Sequence, residues 1–341
     1  MSASRRKWPV GGSAIGLFLA VIALSAAGIA RAQQPPGAPQ PVFRVKVDLV
    51  VLSVSVTNRQ GRYVTDLKPT DFRVLEDGIL QKVAFFSEGG QTPILLEEGR
   101  PGGPGAAGEG GGAGIDLASD TFVGTNVFVL FDTSNFMYRG FVYAEDAIAD
   151  FVRGLDRADS IAVYTFSRNL NRAAGLTRDR LTAIKGLRQS VAGDDTALYN
   201  ALLLTLRDAA RVPGRKVVIV FSNGPDNASM LAPDDVRAVA EDEGIPIYVI
   251  STSEVNKDPI SGNVFRRITA RTGGKAFFAK TWQKQTEAFL SIREELRHVY
   301  TVSYYPQQNP NEGWRSITVE LTGDAAKRFR IRTRAGYRPK L

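Results

Sequence analysis

From residue 126 to residue 298 the sequence alternates short apolar runs with longer segments of helical periodicity. The runs at residues 127–131, 161–166 and 217–221 contain almost no polar residues, which is typical of strands buried on both faces of a sheet. Between such runs, apolar residues recur every three or four positions, as in residues 141–155, and this spacing predicts amphipathic helices. The alternation predicts an α/β fold with a doubly wound, mainly parallel sheet and right-handed crossovers.

The segments on either side of this region have strand-like patterns instead. Residues 45–88 contain stretches in which apolar and polar residues alternate, and Asp77-Gly78 is typical of a tight hairpin turn. Residues 300–341 alternate in the same way. We predict that the two segments form one small all-β unit, and that an α/β domain over residues 121–299 is inserted between its halves.

The N-terminus has the pattern of a secretory signal peptide over residues 1–32. Basic residues at positions 5–7 precede an apolar run at residues 14–30, which ends in an Ala-Arg-Ala cleavage motif. We expect export from a bacterial cell to the periplasm or the medium, with no stable membrane anchor after cleavage. An uncleaved anchor is the alternative, although the apolar run is short for a membrane span. Residues 33–44 predict a Pro-rich tether, and residues 89–120, rich in Gly and Pro, predict a flexible linker.

Composition excludes several classes of site. The chain has no Cys and a single His, His298, which rules out disulfides, thiolate metal sites and sites with several His ligands. Removing residues 1–32 takes four basic residues from the formal net charge of +8 and leaves +4, so nucleic-acid binding has little electrostatic support. The C-terminal segment carries several arginines that predict either a solvated strand face or a surface for an acidic partner: Arg328, Arg330, Arg332, Arg334 and Arg338.

Polar side chains stand where elements of the predicted sheet end or begin. Asp132 and Ser134 come directly after the first strand, Thr196 precedes a helix, and Asn223 follows a later strand. Because the carboxyl ends of parallel strands share one edge of a sheet, we expect these side chains to converge there. Carboxylate, hydroxyl and amide oxygens suit hard cations, so the cluster predicts a site for Mg²⁺ or Mn²⁺.

Residues 121–299 resemble a von Willebrand factor type A (VWA) domain, which has a Rossmann-like α/β fold. The metal-ion-dependent adhesion site of that family reads D-x-S-x-S, followed by a Thr and then an Asp. Three positions match this pattern: Asp132, Ser134 and Thr196. Phe136 stands in place of the second Ser, and Asn223 stands in place of the Asp. The β flanks, notably VDLVVLSVSVTNRQGRYVTDLKPTDFRVLEDG, resemble a family of exported VWFA-related proteins of Acidobacteria.

The two departures leave the metal prediction open. Phe136 offers no ligand oxygen, and Asn223 lacks a negative charge although its amide could orient a metal-bound water. The degenerate site therefore either binds Mg²⁺ or Mn²⁺ with reduced affinity or binds no ion. Asp194 and Asp195 would restore the missing charge if their loop turned inward.

A purely structural interpretation of the same residues also stands. Thr196 occupies a position where a helix N-cap belongs. Asp132 and Ser134 would then only satisfy backbone donors in the turn after the strand. Asn223 would likewise belong to a turn, because Asn-Gly is a common turn pair.

The resemblance implies binding rather than catalysis. An intact site of this kind leaves one metal position open for an acidic side chain of a protein partner. We therefore predict an exported, non-enzymatic protein that mediates protein–protein interaction or adhesion. If no ion binds, Phe136 and Met137 would serve as an apolar knob on the same loops. The alternative function is a metal-independent envelope scaffold that uses the β flanks.

Overall fold

The computed structural model describes residues 49–96, 124–253 and 258–339. The predicted signal peptide and tether lie outside the described residues, as does most of the segment predicted to be a linker. Within the described ranges, no helix combines the length and the apolar character needed to cross a membrane.

The described residues form fifteen strands and seven α-helices. In chain order the strands are β1 (Val50–Asn58), β2 (Phe72–Glu76), β3 (Ile79–Gln81), β4 (Val83–Glu88), β5 (Ile94–Leu95), β6 (Asn126–Asp132), β7 (Ser160–Phe166), β8 (Leu170–Thr177), β9 (Lys216–Ser222), β10 (Ile247–Ser251), β11 (Ala276–Phe278), β12 (Tyr300–Tyr304), β13 (Arg315–Leu321), β14 (Phe329–Arg332) and β15 (Gly336–Tyr337). The helices are α1 (Phe141–Arg153), α2 (Arg180–Arg188), α3 (Leu198–Ala210), α4 (Pro233–Asp242), α5 (Pro259–Thr272), α6 (Trp282–His298) and α7 (Ala325–Arg328).

The α/β region is built on a six-stranded sheet in the order β11-β10-β9-β6-β7-β8. β6 lies between β7 and β9 and pairs in parallel with both, and only the edge strand β8 is antiparallel. Helices cover both faces of this sheet. One core contains side chains of α1, α2 and α6, and a second contains side chains of α3, α4 and α5. The prediction of a doubly wound, mainly parallel sheet is confirmed.

The flanking segments form two antiparallel sheets, in the orders β14-β1-β12-β4-β5 and β15-β13-β2-β3. Both sheets contain strands from before and from after the α/β region; for example, β1 pairs with β12 from Val50↔Tyr304 to Val54↔Tyr300. A single apolar core joins the two sheets, with Leu52 and Val54 of β1 packed in the same cluster as Val319 of β13. This region is all antiparallel β structure and is separate from the mixed sheet.

The predicted hairpin around Asp77-Gly78 is present but shorter than expected. Asp77 (φ 50°) and Gly78 (φ 81°) both have left-handed backbone conformations, as a tight two-residue turn between twisted strands requires. β3 ends at Gln81, and the chain then crosses to the other sheet as β4. The first sheet also extends into the segment predicted to be a linker, because Ile94 and Leu95 pair with β4.

The C-terminal arginines do not lie together on one solvated strand face. The prediction of a solvated face is therefore wrong for Arg332 and Arg334. Arg334 is buried, and its Nη1 donates to the backbone oxygen of Glu241 at 2.9 Å. Arg332 is largely buried against the α/β region. Arg328 and Arg330 are exposed, as predicted for a solvated strand.

A buried carboxylate, Glu295 of α6, links the α/β region to the β region. Its Oε1 accepts hydrogen bonds from Tyr248 of β10 at 2.7 Å and from Arg332 of β14 at 2.5 Å, and its Oε2 accepts from Tyr63 at 3.0 Å. Burial, together with the negative charge of Glu295, raises the pKa of Tyr63 and of Tyr248, so both phenols remain donors. The junction is therefore an ion pair between Glu295 and Arg332, and the two tyrosines donate hydrogen bonds to its carboxylate.

Glu295→Ala is expected to lower the free energy of unfolding by about 3–5 kcal/mol, because it leaves the Arg332 cation desolvated without its partner. Glu294→Ala is the matched control on the same helix, since Glu294 forms a half-exposed pair with Arg297 whose loss costs about 0–1 kcal/mol. Urea denaturation of both variants measures the difference. Equal, small losses would contradict a structural role for the Glu295 junction.

Candidate functional site

Asp132 is the last residue of β6 and is fully buried. Its Oδ1 accepts a hydrogen bond from the backbone N–H of Ser134 at 2.9 Å, and its Oδ2 accepts one from the hydroxyl of Ser222 at 2.6 Å. Ser222 ends the adjacent parallel strand β9, so strand register places the hydroxyl beside the carboxylate. The sequence pattern placed Ser222 in a turn but gave no sign of this contact.

The electrostatic environment of Asp132 disfavours its charged form. Burial raises the pKa of the carboxyl group, and the nearby negative charge of Asp226 raises it further. The hydroxyl of Ser222 and the Ser134 backbone N–H lower the pKa, but they do not offset burial. A cation bound at this carboxylate would stabilise the ionised form directly.

Three buried oxygens of the candidate residues have no hydrogen-bond partner in the structure. They are Ser134 Oγ, Thr196 Oγ1 and Asn223 Oδ1. Leaving a buried polar atom unpaired costs about 1–3 kcal/mol, so each such atom in a native structure calls for a ligand or a solvent partner. Two hydroxyls, an amide oxygen and a carboxylate are all hard donors, and they fit Mg²⁺ or Mn²⁺.

Backbone hydrogen bonds bring the loops that carry these residues together. The N–H of Asn135 donates to the carbonyl of Asp194 at 3.1 Å, and the N–H of Gly193 donates to the carbonyl of Thr133 at 2.8 Å. These bonds tie the loop after β6 to the loop before α3. The four predicted site residues therefore lie in loops that meet at the carboxyl edge of the sheet.

Thr196 does not cap α3, so the capping interpretation is wrong. The N-cap of α3 is Ala197, and the carboxylate of Asp226 accepts the first-turn N–H of Tyr199 at 3.0 Å. The backbone of Thr196 is instead held by Asn227, whose Oδ1 accepts the Thr196 N–H at 2.8 Å. The Thr196 hydroxyl is thus buried without a structural duty in the helix.

The two residues that depart from the VWA pattern contact each other. Nδ2 of Asn223 donates to the backbone oxygen of Phe136 at 3.1 Å. An aspartate at position 223 could not donate this bond and would place a negative charge against a carbonyl oxygen. Gly224 turns the chain after β9 with φ of 118°, and its N–H donates to Ser222 Oγ at 3.1 Å.

Asp194 and Asp195 do not supply the negative charge that is missing at position 223. Asp195 pairs with Arg168 at 3.0 Å and accepts from Asn227 at 3.3 Å. Asp194 is exposed, and Asp226 is engaged at the start of α3. Across the described ranges, no group of three or more His, Asp or Glu side chains could hold a metal ion by itself.

His298 lies far from this site in the fold. It ends α6, stacks on the ring of Tyr63 with centroids 6.0 Å apart, and lies 3.7 Å from the carboxylate of Glu294. Because α6 begins near the carboxyl edge of the sheet, its last residue is at the opposite end of the domain. The single imidazole therefore has no place in the Asp132 site.

Comparison with known proteins gives one family match. The family model described as von Willebrand factor type A domain matches residues 127–225. None of the curated proteins matches the sequence.

Three of the solved structures with similarity to the chain are the following. BatB from Bacteroides thetaiotaomicron is 18% identical, and the match covers 51% of this chain and 97% of that one, with a TM-score of 0.43. The vWF domain of the type V pili tip protein Mfa5 from Porphyromonas gingivalis is 12% identical over 50% of this chain and 94% of that one, with a TM-score of 0.43. The von Willebrand factor type A protein from Catenulispora acidiphila is 12% identical over 63% of this chain and 67% of that one, with a TM-score of 0.42.

The family match runs from β6 to the turn after β9 and includes all four candidate site residues: Asp132, Ser134, Thr196 and Asn223. The order of strands and helices over the same residues is that of a doubly wound α/β domain. Residues 127–225 therefore form part of a domain related to the von Willebrand factor type A family.

Proposed function

We propose that this protein is a non-enzymatic binding protein that holds a divalent cation at the carboxyl edge of its α/β sheet and uses it to capture an acidic side chain of a protein partner. The observation that carries the proposal is the set of unpartnered buried oxygens of Ser134, Thr196 and Asn223, in loops that hydrogen bonds join to the end of β6, where the desolvated carboxylate of Asp132 lies. Asp195 and Asp226 are engaged in other contacts, which favours binding over acid–base catalysis.

Each residue has a distinct part in this function. Asp132, Ser134 and Thr196 would hold Mg²⁺ or Mn²⁺, and the Asn223 amide oxygen would orient a coordinated water. The bound ion supplies a Lewis-acidic position for a partner carboxylate. Ser222 and the Ser134 N–H fix the Asp132 carboxylate, so its direction is set before the ion arrives.

Charge explains why this site would favour an acidic partner. With Asn at position 223, Asp132 is the one carboxylate among the four proposed site residues, so a divalent ion keeps a net positive charge. An acid at position 223, about 4.5 Å from the ion, would contribute about 3–4 kcal/mol per unit charge at an effective dielectric of 20. The partner's carboxylate supplies that charge when it binds.

We infer the location from the N-terminal sequence. Basic residues, an apolar run and an Ala-Arg-Ala motif over residues 1–32 support export, and the resemblance of the β flanks to exported VWFA-related proteins of Acidobacteria supports it further. We infer an adhesion or interaction role in the periplasm or outside the cell. An envelope scaffold that acts through its β flanks is the rival function, and it requires no ion.

If the ion site forms, divalent cations should stabilise the folded protein, and Asp132→Asn should abolish that stabilisation. Mg²⁺ or Mn²⁺ at a hundred times its Kd is expected to add about 2.7 kcal/mol to the free energy of unfolding, seen as a rise in Tm over EDTA. Asp194→Asn is the matched control, since Asp194 is exposed and should leave the shift intact. No shift at millimolar ion would refute the ion site and favour the metal-independent scaffold.

The raised pKa of Asp132 predicts a pH dependence with a definite sign. In EDTA, burial disfavours ionisation of Asp132 in the folded protein. The contribution of this group to the free energy of unfolding is therefore complete below its ordinary pKa of 3.8, and it is lost as pH rises through the raised pKa of the folded protein. Asp132→Asn should remove this loss, and Mg²⁺ should reverse it in the parent protein. Urea denaturation of both proteins at a series of pH values measures the difference; identical pH profiles would contradict a desolvated Asp132.

We expect the family pattern to be restored fully only by a paired change, because position 136 lacks a ligand oxygen and position 223 lacks a negative charge. Phe136→Ser with Asn223→Asp should raise Mg²⁺ affinity by about two to three decades, the equivalent of 3–4 kcal/mol. Asn223→Asp alone should gain less, because Phe136 still offers no ligand oxygen. Calorimetric titration of the single and double variants tests this coupling. The full gain from Asn223→Asp alone would show that the two positions are independent.

A further inference from the structure

The one Asn-Gly pair of the sequence, Asn223-Gly224, lies at the candidate ion site. The side chain of an asparagine can react with the backbone nitrogen of the next residue, and a Cβ on that residue hinders the approach. Glycine has no Cβ, so Asn223 is the asparagine of this chain that meets the least steric hindrance. The product of the reaction is an acid, which is what position 223 lacks relative to the VWA pattern.

The fold requires the glycine that makes this pair reactive. Gly224 has a φ of 118°, a conformation that residues with a Cβ rarely adopt. A Cβ at this position would lie 3.0 Å from Cβ of Ser261 and 3.3 Å from Oδ2 of Asp258. The turn after β9 therefore needs Gly224 for its backbone conformation and its packing, and the reactive pair comes with it.

One hydrogen bond holds the side chain of Asn223. Its Nδ2 donates to the backbone oxygen of Phe136 at 3.1 Å, while its Oδ1 has no hydrogen-bond partner. A cavity of about 140 Å³, which includes space open to solvent, borders the residue. The carboxamide therefore has a single bond to break and free volume into which it can turn.

Asn227, in the same loop, has the opposite arrangement. Its Oδ1 accepts the N–H of Thr196 at 2.8 Å, and its Nδ2 donates to Asp195 at 3.3 Å. Ala228 follows it, so a Cβ hinders the attacking nitrogen. Asn227 is held at both ends of its amide and is therefore an internal reference for Asn223.

The attacking nitrogen is also held by one hydrogen bond. The N–H of Gly224 donates to Ser222 Oγ at 3.1 Å rather than to a carbonyl of the sheet. Ring closure breaks this bond and the bond from Asn223 to Phe136. Because the loss of each bond slows the reaction by about tenfold, the folded protein should react within about a hundredfold of the rate of an unstructured peptide.

We propose that Asn223 and Gly224 form a self-modifying site that converts the side chain at position 223 to a carboxylate. The Gly224 nitrogen attacks Cγ of Asn223, the N–Cγ bond forms, and the Cγ–Nδ2 bond breaks. Nδ2 leaves as ammonia with the proton that the Gly224 nitrogen loses. One water molecule then opens the cyclic imide at either carbonyl, which gives aspartate or isoaspartate. The reaction consumes water and releases ammonia, with no oxidation or reduction.

Conversion would strengthen the proposed ion site, and this consequence rests on the proposed function. A carboxylate at position 223 adds a negative charge near the ion, which corresponds to a gain of about tenfold or more in Mg²⁺ affinity. It also removes the Nδ2 donor that ties the turn after β9 to Phe136. The protein would thus change with age from a weaker to a stronger ion site without the action of an enzyme.

Peptide mapping of aged protein tests the conversion. The purified protein is incubated at mildly alkaline pH, and trypsin then releases residues 217–237, which contain both Asn223 and Asn227. Mass spectrometry should show aspartate and isoaspartate at position 223 before any acid at position 227. Protein digested without incubation is the blank, and a synthetic peptide of residues 217–237 gives the unstructured rate. Asn223→Gln is the matched control, since a glutamine closes the larger ring far more slowly.

Calorimetric titration tests the consequence for the ion. The converted protein carries one more negative charge, so ion exchange separates it from the unconverted protein. The form with aspartate should bind Mg²⁺ about tenfold or more tightly, with Asn223→Asp as its reference. Asn223→Gln incubated in the same way should show no change in affinity.

Two results would overturn the inference. One is an intact Asn223 after about a hundred times the conversion time of the free peptide, or conversion of Asn227 first. The other is conversion without a gain in affinity, in a protein whose unconverted form binds Mg²⁺. If neither form binds Mg²⁺, the proposed function fails, while the mass measurement still decides whether position 223 is converted.

Discussion

The parallel pairing of β6 with β9 is the constraint on which the site depends. Its register sets Phe131 opposite Phe221, so Asp132 and Ser222 leave the sheet side by side. The carboxylate is then fixed at the one edge where the connections of a parallel sheet converge, with its ionised form disfavoured by burial. A hydroxyl and an amide N–H hold its direction but supply no charge, and this combination favours a cation at the site.

A second desolvated carboxylate stabilises the opposite end of the domain. Glu295 lies at the end of α6, where it joins Tyr248 of the central sheet to Arg332 of the β region. A similar network occurs inside the β region, where buried Glu76 accepts from Tyr304 and Tyr337. Because Arg332 would be left as a buried charge without Glu295, the α/β and β regions are energetically linked through α6. If the β flanks act as a scaffold, their surface is therefore coupled energetically to the α/β domain.

The elements that periodicity predicts best are the buried ones. Residues 127–131 and 217–221 form strands because an uninterrupted apolar run is stable only with a sheet neighbour on each side. Pairing across more than two hundred residues, as between β1 and β12, leaves no local signal beyond alternation, so strand order in the β region could not be derived. The crossing from β3 to β4 was missed for the same reason, since the pattern around Lys82 stays strand-like through the change of sheet.

At the candidate site, the ends of the strands predicted that Asp132 and Asn223 lie at the carboxyl edge of the sheet, but the sequence did not show which polar residues there have other contacts. Thr196 and Asp226 have similar capping potential in the sequence, and only the folded loop shows that Asp226 takes the first-turn N–H of α3. The contact between Asn223 and Phe136 likewise joins residues that are 87 positions apart. Each departure from the family pattern is a loss when considered alone, whereas the structure shows the pair in contact, with the Asn223 amide donating to the backbone oxygen of residue 136.

That pair changes the balance between ion and partner in the proposed site. With Asn in place of Asp at position 223, the protein attracts the ion less strongly. The bound ion then keeps more positive charge, so it attracts a carboxylate of a partner more strongly through the same Coulomb interaction. Binding of the ion and of the partner is then reciprocal, because each raises the affinity of the other by an equal factor. A site with Asp132 as its one carboxylate ligand would hold its ion weakly when free and firmly when an acidic side chain of a partner completes the charge.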